Sequence, residues 1–258
     1  LEHYGYEVIT PASGYLACGD TGAGKMPEPE TLLAYIEREA ACEKDLKGKK
    51  ILVTAGPTQE SIDPVRYITN HSSGKMGYAI AKAAMLRGAD VTLVSGRTAI
   101  EPPMFVKVVP VVTAKDMYEA VTSVSDEQDI IIKAAAVADY RPAKVSDEKV
   151  KKSDGQMSIE LERTDDILKF LGEHKRDGQF LCGFSMETQN VIGNSRAKIT
   201  KKNLDMVAAN NVKMAGAGFQ GDTNVLTLIT QDEEVSLPLM SKEDAALKIL
   251  DKILTLTS

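Results

Sequence analysis

Residues Lys50–Gly88, KILVTAGPTQESIDPVRYITNHSSGKMGYAIAKAAMLRG, form the stretch that decides the fold. The apolar run Ile51–Val53 predicts a strand, and a long polar loop follows it from Gly56. An amphipathic pattern from Lys75 to Arg87 then predicts a helix. A strand, a loop and a helix N-terminus in this order expose backbone N–H groups that commonly bind phosphate. This stretch is therefore the first candidate for a ligand site.

The loop between this strand and this helix is dense in side chains that form hydrogen bonds or pair with anions. They are Thr58, Gln59, Arg66, Asn70, His71, Ser72 and Ser73. The glycine spacing matches neither the dinucleotide-binding G-x-G-x-x-G nor the P-loop G-x-x-x-x-G-K-[ST]. A purely structural interpretation stays open, in which Gly56-Pro57 and Asp63-Pro64 form turns and a serine caps the helix.

The composition is that of a folded protein of ordinary polarity. The 258 residues are 43% hydrophobic and 26% charged, which suits one large α/β domain or one domain plus a fragment. A formal net charge of −6 argues against a nucleic-acid partner, and no apolar run approaches the roughly 20 residues of a membrane-spanning helix. Three cysteines and three histidines without metal-site spacing argue against a disulfide framework or a zinc site. We therefore expect a reducing, cytoplasmic location, without a membrane or nucleic acid as partner.

Strand and helix patterns alternate along most of the chain. After the first strand and helix, the patterns predict strands at 90–95, 105–109, 129–135, 158–162, 180–185 and 205–209, helices at 113–123, 165–171 and 189–202, and then β-runs at 224–230 and 233–239 before a final helix. This order predicts an α/β fold, a three-layer Rossmann-like, doubly wound, mostly parallel sheet with an antiparallel addition near the C-terminus. Ligands of such sheets bind at the carboxyl ends of the strands, so the loops after Val53, Ala135 and Phe184 should meet.

The first 42 residues differ from the rest of the chain. They are rich in glycine and proline up to about residue 30, and a helix is predicted from there to Cys42. The charged segment 43–49, EKDLKGK, is the predicted linker, and 50–258 is the predicted second domain. The opening residues LEHYGYEVIT resemble the middle of a domain, so we expect the chain to begin inside a longer protein.

Two clusters of basic residues stand out in this acidic chain. The first runs from Arg141 to Lys152 after a predicted strand end, and the second lies on the predicted helix 189–202. On that helix Lys198 and Lys202 are four residues apart and share a face. Solvated surface lysines remain one interpretation. The other is that two concentrated positive patches bind a small polyanion such as a nucleoside triphosphate.

Four segments, TAGPTQESIDPVRYITNHSSGKMG, AAAVADYRP, DEKVKK and KKNLDMVAAN, closely resemble the phosphopantothenate–cysteine ligase half of the bacterial bifunctional enzyme of coenzyme A biosynthesis. The resemblance extends from about Lys50 to the C-terminus. Residues 11–28 resemble the closing segment of the partner half, a flavin-dependent decarboxylase, and Cys18 matches its proton donor. The resemblance therefore implies that 1–42 is a decarboxylase remnant. FMN is expected only in the full-length fusion, and no decarboxylation is expected from this chain.

The resemblance implies a two-step ligation. The carboxylate of 4′-phosphopantothenate attacks the α-phosphate of CTP, with Mg²⁺ assisting, to give an acyl-cytidylate and pyrophosphate. The amine of L-cysteine then displaces CMP and forms the amide. Bacterial fused enzymes typically use CTP, so the decarboxylase segment favours CTP here. Because the first step brings two anions together, catalysis should depend on positioning and positive charge.

The resemblance also implies roles for particular residues. Asn70 and Lys149 match the catalytic pair, Asn70 handling the acyl-cytidylate and Lys149 its formation. The nucleotide contacts are expected at Ala134, Ala135, Asp139, Lys149, Asp165, Asp166, Ile167, Leu168, Phe184, Lys198 and Lys202. Substrate contacts are expected at Arg66, Asn70, Ser72, Ser73, Gly74 and Ala136; Arg66 and the Ser72–Gly74 helix start are proposed from their chemistry rather than from the resemblance.

Some questions stay open at this level. Asp165 stands where the family pattern has proline, and its carboxylate either binds metal or turns away; no metal ligand is assigned. Related ligases imply a homodimer, and the polar loop 141–156 is a candidate flap over bound nucleotide. The alternative function is a nucleotide-dependent oxidoreductase with a Rossmann-like core, which Tyr140 and Lys144 suggest by spacing but Pro142 between them disfavours. A third alternative is a non-catalytic nucleotide-binding fragment.

Overall fold

The structure, a computed structural model, describes residues 1–152, 156–187, 191–211 and 221–257. The chain divides into two compact units, Leu1–Glu43 and Lys44–Ser258. This division falls inside the segment 43–49 predicted as a linker. Leu46 of that segment is fully buried, and the Asp45 carboxylate accepts hydrogen bonds from Arg87 at 2.8 and 2.6 Å. Residues 44–49 are therefore packed into the larger unit instead of forming an extended connection.

The smaller unit consists of a hairpin and a helix. A 3-10 turn at Glu2–Tyr4 precedes β1 (Ala12–Tyr15) and β2 (Thr21–Lys25), which pair antiparallel, and α1 spans Pro29–Ala40. The glycine-rich hairpin was not predicted, because its strands lack the apolar alternation that marks a strand. None of this unit's residues, all of which are described, is fully buried. It therefore has no hydrophobic core of its own.

The larger unit is an α/β domain. Its elements are β3 (Lys50–Ala55), β4 (Gln59–Ser61), β5 (Tyr67–Thr69), α2 (Lys75–Leu86), β6 (Asp90–Ser95), β7 (Lys107–Pro110), α3 (Ala114–Thr122), a 3-10 turn (Ser125–Glu127), β8 (Ile130–Lys133), β9 (Tyr140–Pro142), β10 (Leu161–Arg163), α4 (Ile167–Glu173), β11 (Phe180–Glu187), α5 (Val191–Lys201), β12 (Met206–Asn211), β13 (Thr223–Asn224), β14 (Leu226–Ile229), β15 (Glu234–Ser236), β16 (Met240–Ser241) and α6 (Lys242–Thr257).

One eight-stranded sheet forms the centre of this unit, in the order β15-β14-β12-β11-β8-β3-β6-β7. The strands from β12 to β7 in this order pair in parallel, whereas β14 and β15 add antiparallel at one edge. The predicted fold class is therefore confirmed, including the antiparallel addition near the C-terminus. From β3 the chain first builds outward to β6 and β7 and then returns to β8 on the other side. The order reverses between β3 and β8, which is where ligands of such sheets bind.

Hydrophobic cores lie on both faces of the sheet. Along β3, Ile51 and Val53 belong to the core that α2 and α6 cover, whereas Leu52 belongs to the core under α3, α4 and α5. This alternation follows from the period of two in a strand, and it explains why an uninterrupted apolar run marks a strand buried on both faces. Helix α2 approaches β3 closely, because a Cβ on Gly77 would lie 2.6 Å from the Cβ of Ala55. The three layers are therefore helices, sheet and helices.

Several local predictions were refined by the structure. Thr113 and Asp116 form the predicted capping box of α3, and the Ser241 hydroxyl accepts from Asp244 N at 2.9 Å at the start of the final helix. The N-cap of α4 is Asp166 instead of Thr164, whose hydroxyl donates to Ala138 O at 2.6 Å. The strand predicted at 158–162 is β10, and it pairs with β9 in a separate hairpin outside the main sheet. The start of the helix predicted at 189–202 lies partly outside the described residues.

Candidate active site

The loops after β3 and β8 are hydrogen-bonded to each other where the strand order reverses. Ala136 N donates to Gly56 O at 3.0 Å, and Thr58 N donates to Ala136 O at 3.2 Å. Gly56 has φ +73°, a backbone conformation that favours glycine, and a Cβ there would lie 2.9 Å from Gly96 O. The Thr58 hydroxyl accepts from Ala138 N at 3.0 Å. These bonds hold both loops in place at the carboxyl edge of the sheet.

Asn70 is held against the same edge. Its side-chain Nδ2 donates to Ala136 O at 3.0 Å, and the neighbouring Thr69 hydroxyl donates to Thr58 O at 2.7 Å. Asn70 comes from the end of the β4–β5 hairpin, which the sequence presented only as a loop. The hairpin therefore carries the predicted catalytic amide to the loop after β8.

Neither serine before α2 caps this helix. The N-cap is Gly74, with φ +79° and no side-chain hydrogen bond to the helix start, while the Ser72 hydroxyl accepts from Gly74 N at 3.4 Å. The simple structural interpretation of these serines as N-caps therefore does not hold. Both line a cavity in front of the helix instead.

This first cavity, which we name the serine cavity, has a volume of about 140 Å³. It is lined by Ser72, Ser73, Gly74, Lys75, Met76, Gly77, Ala134, Ala135, Ala136, Phe184, Met186, Asn210, Asn224 and Lys242. Residues predicted to bind substrate and residues predicted to bind nucleotide therefore meet here. The polar side chains of Asn210, Asn224 and Lys242 were not predicted as site residues. Asn210 ends the segment KKNLDMVAAN, whereas Asn224 and Lys242 belong to no quoted motif.

A second cavity, which we name the lysine cavity, opens beside β8, α4 and α5 with a volume of about 450 Å³. It is lined by Lys133, Val137, Asp139, Tyr140, Arg163, Thr164, Asp165, Asp166, Ile167, Leu168, Phe184, Lys198 and Lys202. Most of the residues predicted to contact a nucleotide lie here, although they are spread over more than sixty positions of the chain. Phe184 of β11 lines both cavities.

Some of the charged side chains that line the lysine cavity form ion pairs with one another. Lys202 Nζ lies 2.8 Å from an Asp166 carboxylate oxygen, and that carboxylate also caps α4 by accepting from Lys169 N at 3.0 Å. Desolvation alone would raise the pKa of Asp166, but the hydrogen bonds from Lys202 and Lys169 N lower it overall. Lys198 Nζ donates to the Ser185 hydroxyl at 3.3 Å. Asp166 therefore stays ionised and positions Lys202.

Lys133 is a cavity residue that the sequence analysis missed. It is the last residue of β8 and is half-buried. Desolvation, followed by repulsion from Lys202, lowers its pKa to about 8. A signal was present in the sequence, since Lys133 is the single charged residue at the end of an apolar strand otherwise buried on both faces.

Arg66 and Lys149 lie outside both cavities. Arg66 donates from Nε and Nη2 to the Asp63 carboxylate at 3.0 and 2.5 Å, and from Nη2 to Val150 O at 3.0 Å. Val150 N also donates to Asp63 at 3.1 Å. Lys149 is exposed and directly precedes Val150. We call these contacts of Asp63, Arg66 and Val150 the Asp63 clamp; it fixes the backbone next to Lys149.

Asp63 is a buried carboxylate that the surrounding donors keep ionised. The hydrogen bonds from the Arg66 guanidinium hold the pKa of Asp63 far below its usual range, and the N–H groups of Val65, Val150 and Arg66 add to this against the opposing effect of burial. The anion-binding role expected for Arg66 stays a prediction, since much of its charge is already matched by Asp63.

No group of three or more His, Cys, Asp or Glu side chains that could hold a metal ion occurs among the described residues. Asp139 and Asp165 nevertheless line the lysine cavity, and both are exposed. The position of Asp165 at this cavity agrees with either role proposed for its carboxylate. A magnesium ion usually takes one or two protein carboxylates and completes its shell with phosphate oxygens and water, which this donor set can supply.

The cysteines lie in different surroundings. Cys182 is fully buried in β11, where desolvation raises its pKa to about 12, so it is an inert core residue. Cys18 is exposed in the smaller unit, and none of the three cysteines forms a disulfide. In the part of the chain that the structure describes, every helix is too short or too polar to cross a membrane.

Known proteins match almost the whole chain in sequence. The sequence family described as "DNA/pantothenate metabolism flavoprotein C-terminal domain" matches residues 46–256. The "Coenzyme A biosynthesis bifunctional protein CoaBC" of Bacillus subtilis is 50% identical over 257 residues, covering 98% of this chain and 63% of the relative. That of Vibrio vulnificus is 46% identical over 258 residues, covering 99% of this chain and 64% of the relative. The chain therefore spans less than two thirds of these relatives' length.

One solved structure is similar to this chain over nearly the whole length of the solved chain. It is described as the C-terminal domain of coenzyme A biosynthesis bifunctional protein CoaBC, and it is 48% identical with a TM-score of 0.70. The match covers 82% of this chain and 96% of the solved chain.

Proposed function

Because the chain belongs to the family of DNA/pantothenate metabolism flavoprotein C-terminal domains, we propose that its larger unit is a phosphopantothenate–cysteine ligase. It joins 4′-phosphopantothenate to L-cysteine through an acyl-cytidylate formed from CTP, and it releases pyrophosphate and CMP. The reaction belongs to coenzyme A biosynthesis, the process in the names of the relatives. The chain covers only part of those relatives, so this activity is assigned to the domain and not to the whole protein.

One observation carries the proposal: two cavities that both contain cationic side chains share Phe184. The lysine cavity supplies ammonium groups for a triphosphate, while the serine cavity combines serine hydroxyls with the side chains of Lys75 and Lys242. A reaction between two anionic substrates needs two sites with one reacting point between them. Ala134–Ala136, on the loop after β8, link the cavities along the chain.

In the first step the substrate carboxylate oxygen forms a bond to the α-phosphorus, and the bond from that phosphorus to the bridging oxygen of pyrophosphate breaks. The lysines of the lysine cavity offset the negative charge that gathers there. Lys149, next to the Asp63 clamp, is the further cation that we assign to this step. In the second step the cysteine amine attacks the acyl carbon, loses a proton and expels CMP. To Asn70, whose Nδ2 donates to Ala136 O, we assign the orientation of the acyl group.

Magnesium would shield the triphosphate charge, and Asp139 and Asp165 are the residues of this chain that would hold it. Most of its coordination would come from the nucleotide and from water. We also propose a homodimer of the ligase domain. We propose that the smaller unit, which has no core of its own, is the decarboxylase remnant with Cys18 as its former proton donor. FMN binding then belongs to the fusion and not to this chain.

The decisive experiment is a product assay. The chain is incubated with CTP, Mg²⁺, 4′-phosphopantothenate and L-cysteine, and pyrophosphate, CMP and the amide product are followed by phosphorus NMR and mass spectrometry. The ligase predicts all three products in equal amounts. Omitting cysteine should leave bound acyl-cytidylate with one pyrophosphate per site.

Parallel reactions separate the alternatives. An oxidoreductase would oxidise NADPH and form no pyrophosphate, and a non-catalytic fragment would bind nucleotide without turnover. The absence of pyrophosphate with CTP and with ATP would refute the ligase proposal. Comparing the two nucleotides at equal concentration also measures the preference for CTP.

A further inference from the structure

Lys133 occupies an unusual position for a lysine. It ends β8, which is paired with β3 on one side and β11 on the other, next to the point where the strand order reverses. The preceding residues Ile130–Ile132 are at most 2% exposed, whereas the Lys133 side chain lines the lysine cavity. Core packing at this position would favour another apolar residue, because placing an ammonium group there costs free energy of desolvation.

Charged groups from several elements line the cavity around Lys133. Lys198 and Lys202 of α5 act on it as like charges, whereas Asp166 at the start of α4 and Asp139 after β8 attract it. The titratable side chains of Tyr140, Arg163 and Asp165 line the same cavity. The Asp166 carboxylate is already engaged by Lys202 and by Lys169 N. Three ammonium groups therefore share one cavity, and an entering polyanion would relieve their repulsion.

We propose that Lys133 is an additional phosphate-binding residue of the lysine cavity, and that it takes up a proton when a nucleoside triphosphate binds. This inference rests on the proposed function and deepens it, since it assigns one end of the nucleotide to the floor of the cavity at the end of β8. Lys133 here binds and positions; it is not assigned a bond-making step.

The protonation of Lys133 determines in which direction the affinity for the nucleotide changes with pH. Desolvation and the charge of Lys202 lower the pKa of Lys133 to about 8, so much of it is neutral in mildly alkaline solution. A bound triphosphate raises this pKa, and binding then takes up protons and weakens as the pH rises. The terminal phosphate of the nucleotide ionises near pH 6, well below this window. A one-unit rise in pKa corresponds to about a tenfold loss of affinity across the window.

The test is isothermal titration calorimetry of the whole chain with MgCTP and with inorganic tripolyphosphate, without the other substrates. Titrations at about pH 7 and about pH 9.5, each in two buffers of different ionisation enthalpy, give the affinity and the number of protons taken up. The unmutated chain should lose about fivefold to tenfold in affinity between the two pH values. Proton uptake should be largest between about pH 8 and 9.

Three variants distinguish the effect of the Lys133 charge on affinity from the effect of its protonation on the pH dependence. Lys133→Met should bind about tenfold more weakly at neutral pH, without proton uptake and without the alkaline loss. Lys133→Arg, always charged, should bind well at both pH values, again without proton uptake. Lys169→Met is the matched control, since Lys169 lies on α4 outside the cavity and pairs with Glu173 at 3.7 Å. It should behave like the unmutated chain.

Two results would overturn the inference. If the unmutated chain binds CTP without proton uptake, or if Lys133→Met binds CTP within twofold of it and keeps the same pH dependence, Lys133 does not bind phosphate. In either case pyrophosphate formation in the product assay would leave the ligase proposal intact. If neither CTP nor tripolyphosphate binds and no pyrophosphate forms, the proposed function fails and the inference fails with it. The number of protons taken up is measured on the unmutated chain, so this result does not depend on whether a variant folds.

Discussion

The loop between β3 and α2 and the lysine cavity are both dense in polar side chains, but they use them differently. In the loop, polar groups mostly bond to the protein itself: Glu60, buried at 3% exposure, accepts from Ala114 N at 2.8 Å, and Asp63 is enclosed by the donors of the Asp63 clamp. In the lysine cavity, several cations face a space large enough for a ligand, and the Lys202–Asp166 pair matches only part of their charge. Polar density alone therefore does not identify a binding surface.

The difference follows from burial and chain geometry. Polar side chains of this loop accept hydrogen bonds from backbone N–H groups that need partners. Asp63 accepts from Val65 N within the loop, whereas Thr58 and Glu60 accept from Ala138 N and Ala114 N of neighbouring segments. The lysine cavity instead lies beside β8, β11, α4 and α5, and the side chains of these elements line the open space. Each of the following predictions tests this contrast.

The largest effects are expected from the two assigned catalytic residues: Asn70, at the end of the β4–β5 hairpin, and Lys149, which lies outside both cavities next to the Asp63 clamp. Lys149→Gln should lower pyrophosphate formation by about 10²-fold or more, because a positive charge at the first step is lost. Asn70→Asp should still form the acyl-cytidylate but stall before the amide, giving one pyrophosphate per site in a burst. Rapid-quench analysis of bound intermediate and product distinguishes the two steps. A block at the same step in both variants would show that the division of roles is wrong.

Removing a lysine of the lysine cavity should weaken CTP binding more than removing the arginine of the Asp63 clamp. Lys202→Met removes a charge from the lysine cavity and should weaken CTP binding about tenfold, in the range of one charge-assisted hydrogen bond. Arg66→Met removes a charge that Asp63 and Val150 O already engage, so CTP affinity should change less than about twofold. Calorimetric titration measures both. Equal losses would mean that the Arg66 charge reaches the nucleotide and that the contrast does not hold.

The smallest effect on affinity, with a distinct pH signature, is expected at the Asp63 clamp. Asp63→Asn should lower the urea midpoint of unfolding and speed trypsin cleavage near Lys149, because residues next to Val150 lose their anchor. The pKa of Asp63 is lowered on folding, so its stabilisation is complete above the unfolded value near 4 and is lost progressively below it. The difference in urea midpoint between the unmutated chain and Asp63→Asn should therefore stay constant from about pH 7 to about pH 5 and become smaller in stronger acid.

The control for this experiment is Asp147→Asn, which changes an exposed carboxylate on the same segment. It should leave both the urea midpoint and the cleavage rate unchanged. If the difference in urea midpoint between Asp63→Asn and the unmutated chain became larger in acid, the Asp63 clamp would not be the source of the stabilisation.

Local patterns were sufficient for much of the fold. The run Ile51–Val53 and the isoleucines of β8 are buried on both faces of the sheet, and the capping box at Thr113 begins α3 as predicted. The weak elements were missed or misplaced for physical reasons. The strands of the β1–β2 and β4–β5 hairpins have three to five residues each and little apolar periodicity. Helix α4 is capped by Asp166, whose side chain accepts from Lys169 N, because the Thr164 hydroxyl donates to Ala138 O instead.

The candidate site was predicted less evenly than the fold. Resemblance selected Phe184, Lys198 and Lys202, helical spacing put the two lysines on one face, and the structure brings all three to one cavity with Asp139. Lys133 was not selected, because a single lysine after an apolar run carries no motif. Arg66 was selected for its charge, and its partner Asp63, three residues away, was interpreted only as part of a turn.

The sequence alone determined the order of strands and helices, and with it the edge of the sheet where a ligand would bind. These follow from periodicity and capping, which act over a few residues. Only the tertiary structure decided which polar groups the protein itself uses and which face a cavity. Hydrogen bonds such as Val150 N to Asp63, and the charge field around Lys133, join residues tens of positions apart. Burial and proximity set their strength, and neither is encoded in any single segment.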